Sequence, residues 1–385
     1  MKKLLALLLC AALLLSLAAC GATPVSEETV AEDITVTDMI GREVTVTPGS
    51  YQRVVCVGAG ALRMYCYVGD VALLCGVEDI DNTTLEERPQ MFDAVARPYM
   101  LAYGDSFTDL PSAGVGGPMA QAAEAEKILA CDPDIVISEF EDVDKSNALQ
   151  EQLGVPVITL SSGTGVFDET FHGSLELLGK IFDQEEKAAT LVAYIKGEAA
   201  AISAIVAEIP EEEKPNVYIC GLGNWGTTNH LMTAENYASF NVAGINNVVS
   251  GLGMQGIGPI EEETFVDIGD EMDIMIIDAA AVKNIIPLYA EDPTMFDTCK
   301  AWQEGEVYLE MAYNAYYTNY EIALINTWYI AKMVYPEYFA DVDITAKTNE
   351  VTKAFLGQEL AEEIFACPQS FGGYQKIDTA TFFVK

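Results

Sequence analysis

The chain has 385 residues, of which 59 are Asp or Glu against 20 Lys or Arg, giving a formal net charge of -39 at neutral pH. The length supports two domains with cores of their own. The acidity excludes nucleic acid as a partner, because phosphate binding needs a basic face, and otherwise describes a solvated, self-repelling surface.

The first element is a signal peptide. Lys2 and Lys3 precede an apolar run from Leu4 to Leu15, too short to span a bilayer, and Leu17, Ala18 and Ala19 lead into Cys20. A lipoprotein peptidase requires small residues before its cysteine. Residues 1–19 are therefore expected to be removed and Cys20 to carry the lipid that holds the chain, outside the cytoplasm, on the cell membrane. Acyl chains contributing about 0.8 kcal/mol per buried methylene make such an anchor stable. The rest of 20–33 lacks periodicity and reads as a flexible tether.

From Ile34 the pattern gives a hairpin turning at Ile40-Gly41, a strand from Arg53 to Val57, and Gly58-Ala59-Gly60 opening a helix. Next come a strand in ALLCGVED, a long loop through Arg97, Pro98 and Tyr99, a helix around 120–130, the strand DIVISEF, a helix near 147–153 and the strand PVITL. Strands alternating with helices mean a parallel sheet, so 34–182 reads as an N-terminal α/β lobe. Gln184 to Ile209 then carries apolar residues at Ala188, Leu191, Val192, Ile195, Ala199, Ile202, Ile205 and Val206, a helical spacing. Pro210 and Pro215 end it, which makes 183–210 a spine between lobes. The alternation restarts in 211–385, with strands NVYICGLG, MDIMIID and EVYLEM and helices at 237–243, 319–334 and 346–365. The fold class is α/β, two lobes joined by a single long helix.

Chemistry is sparse. Of nine cysteines, Cys10 leaves with the signal and Cys20 is lipidated; Cys56, Cys75 and Cys220 lie in or beside apolar strand-like runs without a CxxC pair and read as small buried hydrophobes. There is no GxSxG, HExxH or Walker A sequence, so the chain is read neither as an enzyme nor as an ATP-driven motor. The two histidines, His172 and His230, are too few for a three-histidine metal site, so no intrinsic cofactor is expected.

The runs VTDMIGREVTV, QRVVCVGAGALRMYCYVGDVALLCGVED and EAEKILACDPDIVI, in that order, resemble the N-terminal lobe of class III periplasmic-type substrate-binding proteins of ABC importers. RPYMLAYGDSFTDLP, GVGGP, EVYLEMAYNAYYTNYEIAL and VYPEYFADVD are similar to the HemV-2-like subgroup of metal-chelate receptors. The resemblance implies two Rossmann-like lobes with a ligand cleft between them. It also implies a monomer that delivers a ferric siderophore, haem or cobalamin to a permease driven by a separate ATPase. A glutamate on each lobe would dock that permease: Glu126, with Glu124 close by, and Glu263, with Glu261 and Glu262 open as alternatives.

In open α/β sheets ligands gather at the carboxyl ends of strands. The candidates there are Arg63 and Arg97 as bidentate partners of an anionic chelate, with Tyr99, Glu139, Trp225 and His230, the last also considered as an axial metal ligand. Free amides at the Gly58–Gly60 helix start favour an anionic group. Tyr313, Tyr316 and Tyr317 precede a helix start at which Thr318 and Glu321 have capping-box spacing, and their rings suit a planar chelator. A surface lipoprotein with an adhesive or structural role, or a receptor for a non-metal ligand, is the alternative.

Overall fold

The computed structural model describes residues 32–223 and 229–384. The signal peptide, Cys20, nearly all of the tether, and Trp225 lie outside the described residues. Strands β1 (Ile34–Thr37) and β2 (Glu43–Val46) form an antiparallel hairpin whose period-2 pattern buries Val36, Val44 and Val46 and exposes Thr35, Glu43 and Thr45. Arg42 bolts the hairpin down, donating to Asp38, Asn147, Gln150 and the Val157 carbonyl.

Five parallel strands follow: β3 (Val54–Val57), β4 (Leu74–Glu78), β5 (Ser112–Gly114), β6 (Ile135–Ser138) and β7 (Val157–Thr159), in spatial order β5-β4-β3-β6-β7. β3, β4, β6 and β7 are buried throughout, which is why they read as unbroken apolar runs. The order reverses between β3 and β6, so a crevice opens beyond Val57 and Ser138.

The helix Glu169–Phe182 turns at Asp183, in the left-handed region at φ 57°, into the long helix Glu185–Val206, roughly 33 Å of rod. Ala188, Leu191, Val192, Ile195, Ile202 and Val206 form its buried stripe.

The second lobe holds β8 (Asn216–Cys220), β9 (Met232–Ala234), β10 (Asn246–Asn247), β11 (Ile257–Pro259), β12 (Ile274–Asp278), β13 (Val307–Glu310) and β14 (Gln375–Lys376). Its main sheet runs β10-β8-β12-β13-β14, parallel except for β14, while β9 and β11 make a separate two-stranded antiparallel sheet. This order reverses between β8 and β12. The expected helix at 346–365 is two, Ile344–Leu356 and Ala361–Ala366, because Gly357 ends the first at φ 73°. The tail then returns to the first lobe, where Tyr103 donates to the Leu356 carbonyl, Gln358 to the Ala102 carbonyl, and the Gln369 amide to Ala94. Cys56, Cys66, Cys75, Cys131, Cys220, Cys299 and Cys367 are all free thiols, and every one but Cys367 is buried.

Candidate functional site

The loop 312–319 of the second lobe crosses to the first. Arg63 holds it there. Its guanidinium, 1% exposed, donates to the carbonyls of Ala315, Tyr316 and Thr318 and to Asn319 Oδ1. Asn319 in turn donates to the carbonyls of Ala96 and Ala312. Tyr316 and Tyr317 both take left-handed backbone angles, φ 54° and 71°, unusual for bulky side chains. The carbonyls turned toward Arg63 account for how that conformation persists.

This geometry corrects several sequence expectations. Arg63 is not open to an anionic chelate, because its fork already serves the loop. Arg97 is likewise buried, paired with Asp81 at 2.7 Å, and Tyr99 donates its hydroxyl to the same carboxylate. Tyr316 is buried, donating to Glu78 at 2.8 Å and accepting from the Gly117 amide at 3.1 Å, so its ring offers no stacking face to solvent. His230 packs edge-on between Phe265 and Phe296, with centroids 5.1 and 5.6 Å away, and burial lowers its pKa to about 4. It is a neutral core histidine rather than an axial ligand. His172 is also internal, with Nε2 donating to the Val166 carbonyl. The capping box does not form: Asn319 is the N-cap, and Glu321 is buried beneath the Tyr67 hydroxyl.

Tyr317, Tyr313 and Glu139 are brought together between the lobes. Tyr317 is 41% exposed, and its phenol is held above the usual range by burial and by the charges of Glu139 and Glu141. Tyr313 is largely buried beneath it; its amide donates to Asp278, its ring meets Tyr237, and its hydroxyl lies beside Gly165. Glu139 follows β6 directly. Both of its carboxylate oxygens are shielded from water and have no side-chain partner, only the Ser162 amide close by, and the Ser162 hydroxyl is unpartnered. They converge on Gly60, where a Cβ would stand 2.2 Å from Glu139 Oε2 and 3.3 Å from Ser162 Oγ. The amides expected to receive a ligand's anion therefore have the protein's own carboxyl beside them.

Sequence reasoning missed Glu78, Asp278 and Glu310, although each is an acid ending an apolar strand, a readable signal. Burial pushes the Glu78 pKa up to about 7. Asp278 and Glu310 lie side by side at the ends of β12 and β13, and desolvation raises both. Beside Glu78 opens a cavity of about 290 Å³ lined by Gly114, Val115, Gly116, Met119, Ala120 and Glu124. Of the docking candidates, Glu126 and Glu263 are exposed in the first turns of the helices Ala125–Ala130 and Glu262–Asp267. Glu124 is instead occupied, accepting from the Val115 amide and pairing with Lys127.

A model of the family described as periplasmic binding protein matches residues 65–309. The chain belongs to that family. Periplasmic binding proteins of this kind are extracytoplasmic, bind a small ligand and work with an ABC permease and ATPase. Three similar solved structures share the two-lobed fold. The molybdate periplasmic binding protein MolA of Haemophilus influenzae is 17% identical, covering 85% of this chain and 99% of its own, with a TM-score of 0.64. The TroA-like protein FepB of Veillonella parvula is 21% identical over 85% and 97%, at 0.60. The periplasmic haem-binding protein HutB of Vibrio cholerae is 16% identical over 74% and 99%, at 0.52. No curated protein matches the chain.

Proposed function

We propose that this periplasmic binding protein captures a metal chelate, such as a ferric siderophore, haem or a corrinoid, in the cleft between its lobes and delivers it as a monomer to the permease. The observation that carries the reading is Tyr317. A half-exposed aromatic ring, fixed in a strained conformation at the mouth of an interlobe crevice, is a stacking surface whose cost to the fold needs a purpose. Among the described residues no group of three or more His, Cys, Asp or Glu is disposed to hold a bare ion. That supports a metal arriving with its own donors.

The remaining assignments extend the sequence reading and the family resemblance it carries. Cys20 carries the lipid anchor, the chain falls in the HemV-2-like subgroup, and lobes 34–182 and 211–385 flank the 183–210 spine. Glu139, Tyr313 and Tyr317 line the ligand site, with Trp225 as a further candidate, while Glu126 and Glu263 meet permease arginines.

A thermal-shift screen of the chain from Gly21 onward against ferric siderophores, haemin and cobalamin tests this. A saturable rise in melting temperature with one class supports chelate capture. No shift with any class, beside a shift with a non-metal nutrient, would replace it.

A further inference from the structure

We infer that the interlobe cleft is built for a chelate that presents positive charge, or several N–H or O–H donors, to Glu139, and that it discriminates against anionic chelates. The inference rests on the chelate reading and names the ligand class within it.

The positive groups come first. A cleft that clamps an anion needs a cation with donors to offer. Arg63 has both terminal nitrogens committed to the 315–319 loop, and Arg97 is closed into its pair with Asp81. The Arg63 charge reaches Glu139, but its terminal nitrogens have no donor left for a ligand, and only its buried Nε is unpartnered.

The negative groups are in the opposite state. Glu139 sits at the reversal point between β3 and β6 with no side-chain donor on either carboxylate oxygen and only the Ser162 amide close by, and Ser162, 1% exposed, points an unpartnered hydroxyl into the same corner. Gly60, at φ 103°, exists at this place without a side chain, and any Cβ would collide with the Glu139 carboxylate. The corner is therefore shaped around the acid. A buried polar group left without a partner costs about 1 to 3 kcal/mol, and more when it is charged. A ligand that supplies the missing partner removes that cost on binding. Tyr317, from the other lobe, lies near enough for Glu139 and Glu141 to raise its phenol pKa, and the exposed Glu141 is a second negative group close to it. Burial and then the neighbouring Glu141 raise the Glu139 pKa against the smaller opposing effects of Arg63 and the Ser162 amide, and a bound cation would lower it.

The test is calorimetric titration of the chain from Gly21 with three ferric chelates of similar size. Ferrioxamine B carries a protonated amine, ferrichrome is neutral, and ferric enterobactin is a trianion. Ferrioxamine B is expected to bind at least about tenfold more tightly than ferric enterobactin. Glu139→Gln is expected to weaken ferrioxamine B by about tenfold or more and ferrichrome by less than about threefold. Circular dichroism checks the fold. If that variant does not fold, Glu141→Gln at the surface carries the test, with a smaller loss in the same order.

Enterobactin binding as tightly as ferrioxamine B, or variants that leave the order unchanged, would overturn the inference while leaving chelate capture standing. Failure of all three, with haemin and cobalamin also inert, would instead remove the chelate reading and this inference with it.

Discussion

Tyr316 and Glu78 come from opposite lobes, and the tyrosine hydroxyl donates to the glutamate Oε2 at 2.8 Å in a buried setting. The Gly58 amide donates to the same oxygen at 3.2 Å. The two contacts tie the start of the first reversal point to the tyrosine loop, so the lobes share a polar seam as well as an apolar one.

That seam gives stability a pH dependence. Burial pushes Glu78 from its ordinary 4.5 up to about 7, so the folded chain keeps a proton that the unfolded chain releases above 4.5. Its stabilising contribution is complete below about 4.5 and is lost as pH rises through 7. The slope is up to about 1.4 kcal/mol per pH unit. Asp278 acts in the same direction; His230, lowered to about 4, acts in the opposite one. Urea unfolding between pH 5 and 7 should show stability falling with pH, and Glu78→Gln should flatten that fall. An unchanged slope would show that Glu78 titrates normally.

Arg63→Lys should be far from conservative. A lysine ammonium cannot reach the four acceptors that the planar guanidinium serves, so buried carbonyls lose their donors. A loss of about 3 kcal/mol in unfolding free energy is expected, since each orphaned buried acceptor costs about 1 kcal/mol or more. A loss under about 0.5 kcal/mol in urea titration would mean that the loop is held by other contacts.

Gly60→Ala places a methyl group where Glu139 now lies, at a backbone angle that disfavours any side chain. Expected are a destabilisation of about 1 to 3 kcal/mol and a displaced Glu139, with chelate affinity down by about tenfold. Melting temperature and calorimetry read the two effects separately.

Tyr317→Gly should separate stability from function. Glycine accepts φ 71° without strain, so the melting temperature should hold or rise, the relieved conformation being worth about 1 kcal/mol. Chelate affinity should fall because the stacking ring is gone. A variant that binds as tightly as the parent would remove Tyr317 from the site.

The periodic features were legible in the sequence. The spine expected over 184–209 is a helix at Glu185–Val206, and the strands NVYIC, IMIID and VYLE lie where their apolar runs place them. The helix expected around 120–130 starts only at Ala125, because Glu124 turns its carboxylate back to the Val115 amide. Side-chain partnerships were not legible. Arg63 meets carbonyls more than 250 positions away in the chain, and local pattern carries no signal of that pairing. Nor does an acid at a strand end announce whether it meets a cation, a tyrosine or nothing. Glu78 and Glu139 answer that question differently while looking alike in sequence.

The most direct measurement is calorimetric titration of the chain from Gly21 with a panel of ferric siderophores, haemin and corrinoids, run beside Tyr317→Gly. Saturable one-to-one binding of one chelate at micromolar or lower concentration, weakened by about tenfold or more in the variant, is the expected result. Flat titrations across the whole panel, from a protein that circular dichroism shows to be folded, would contradict chelate capture.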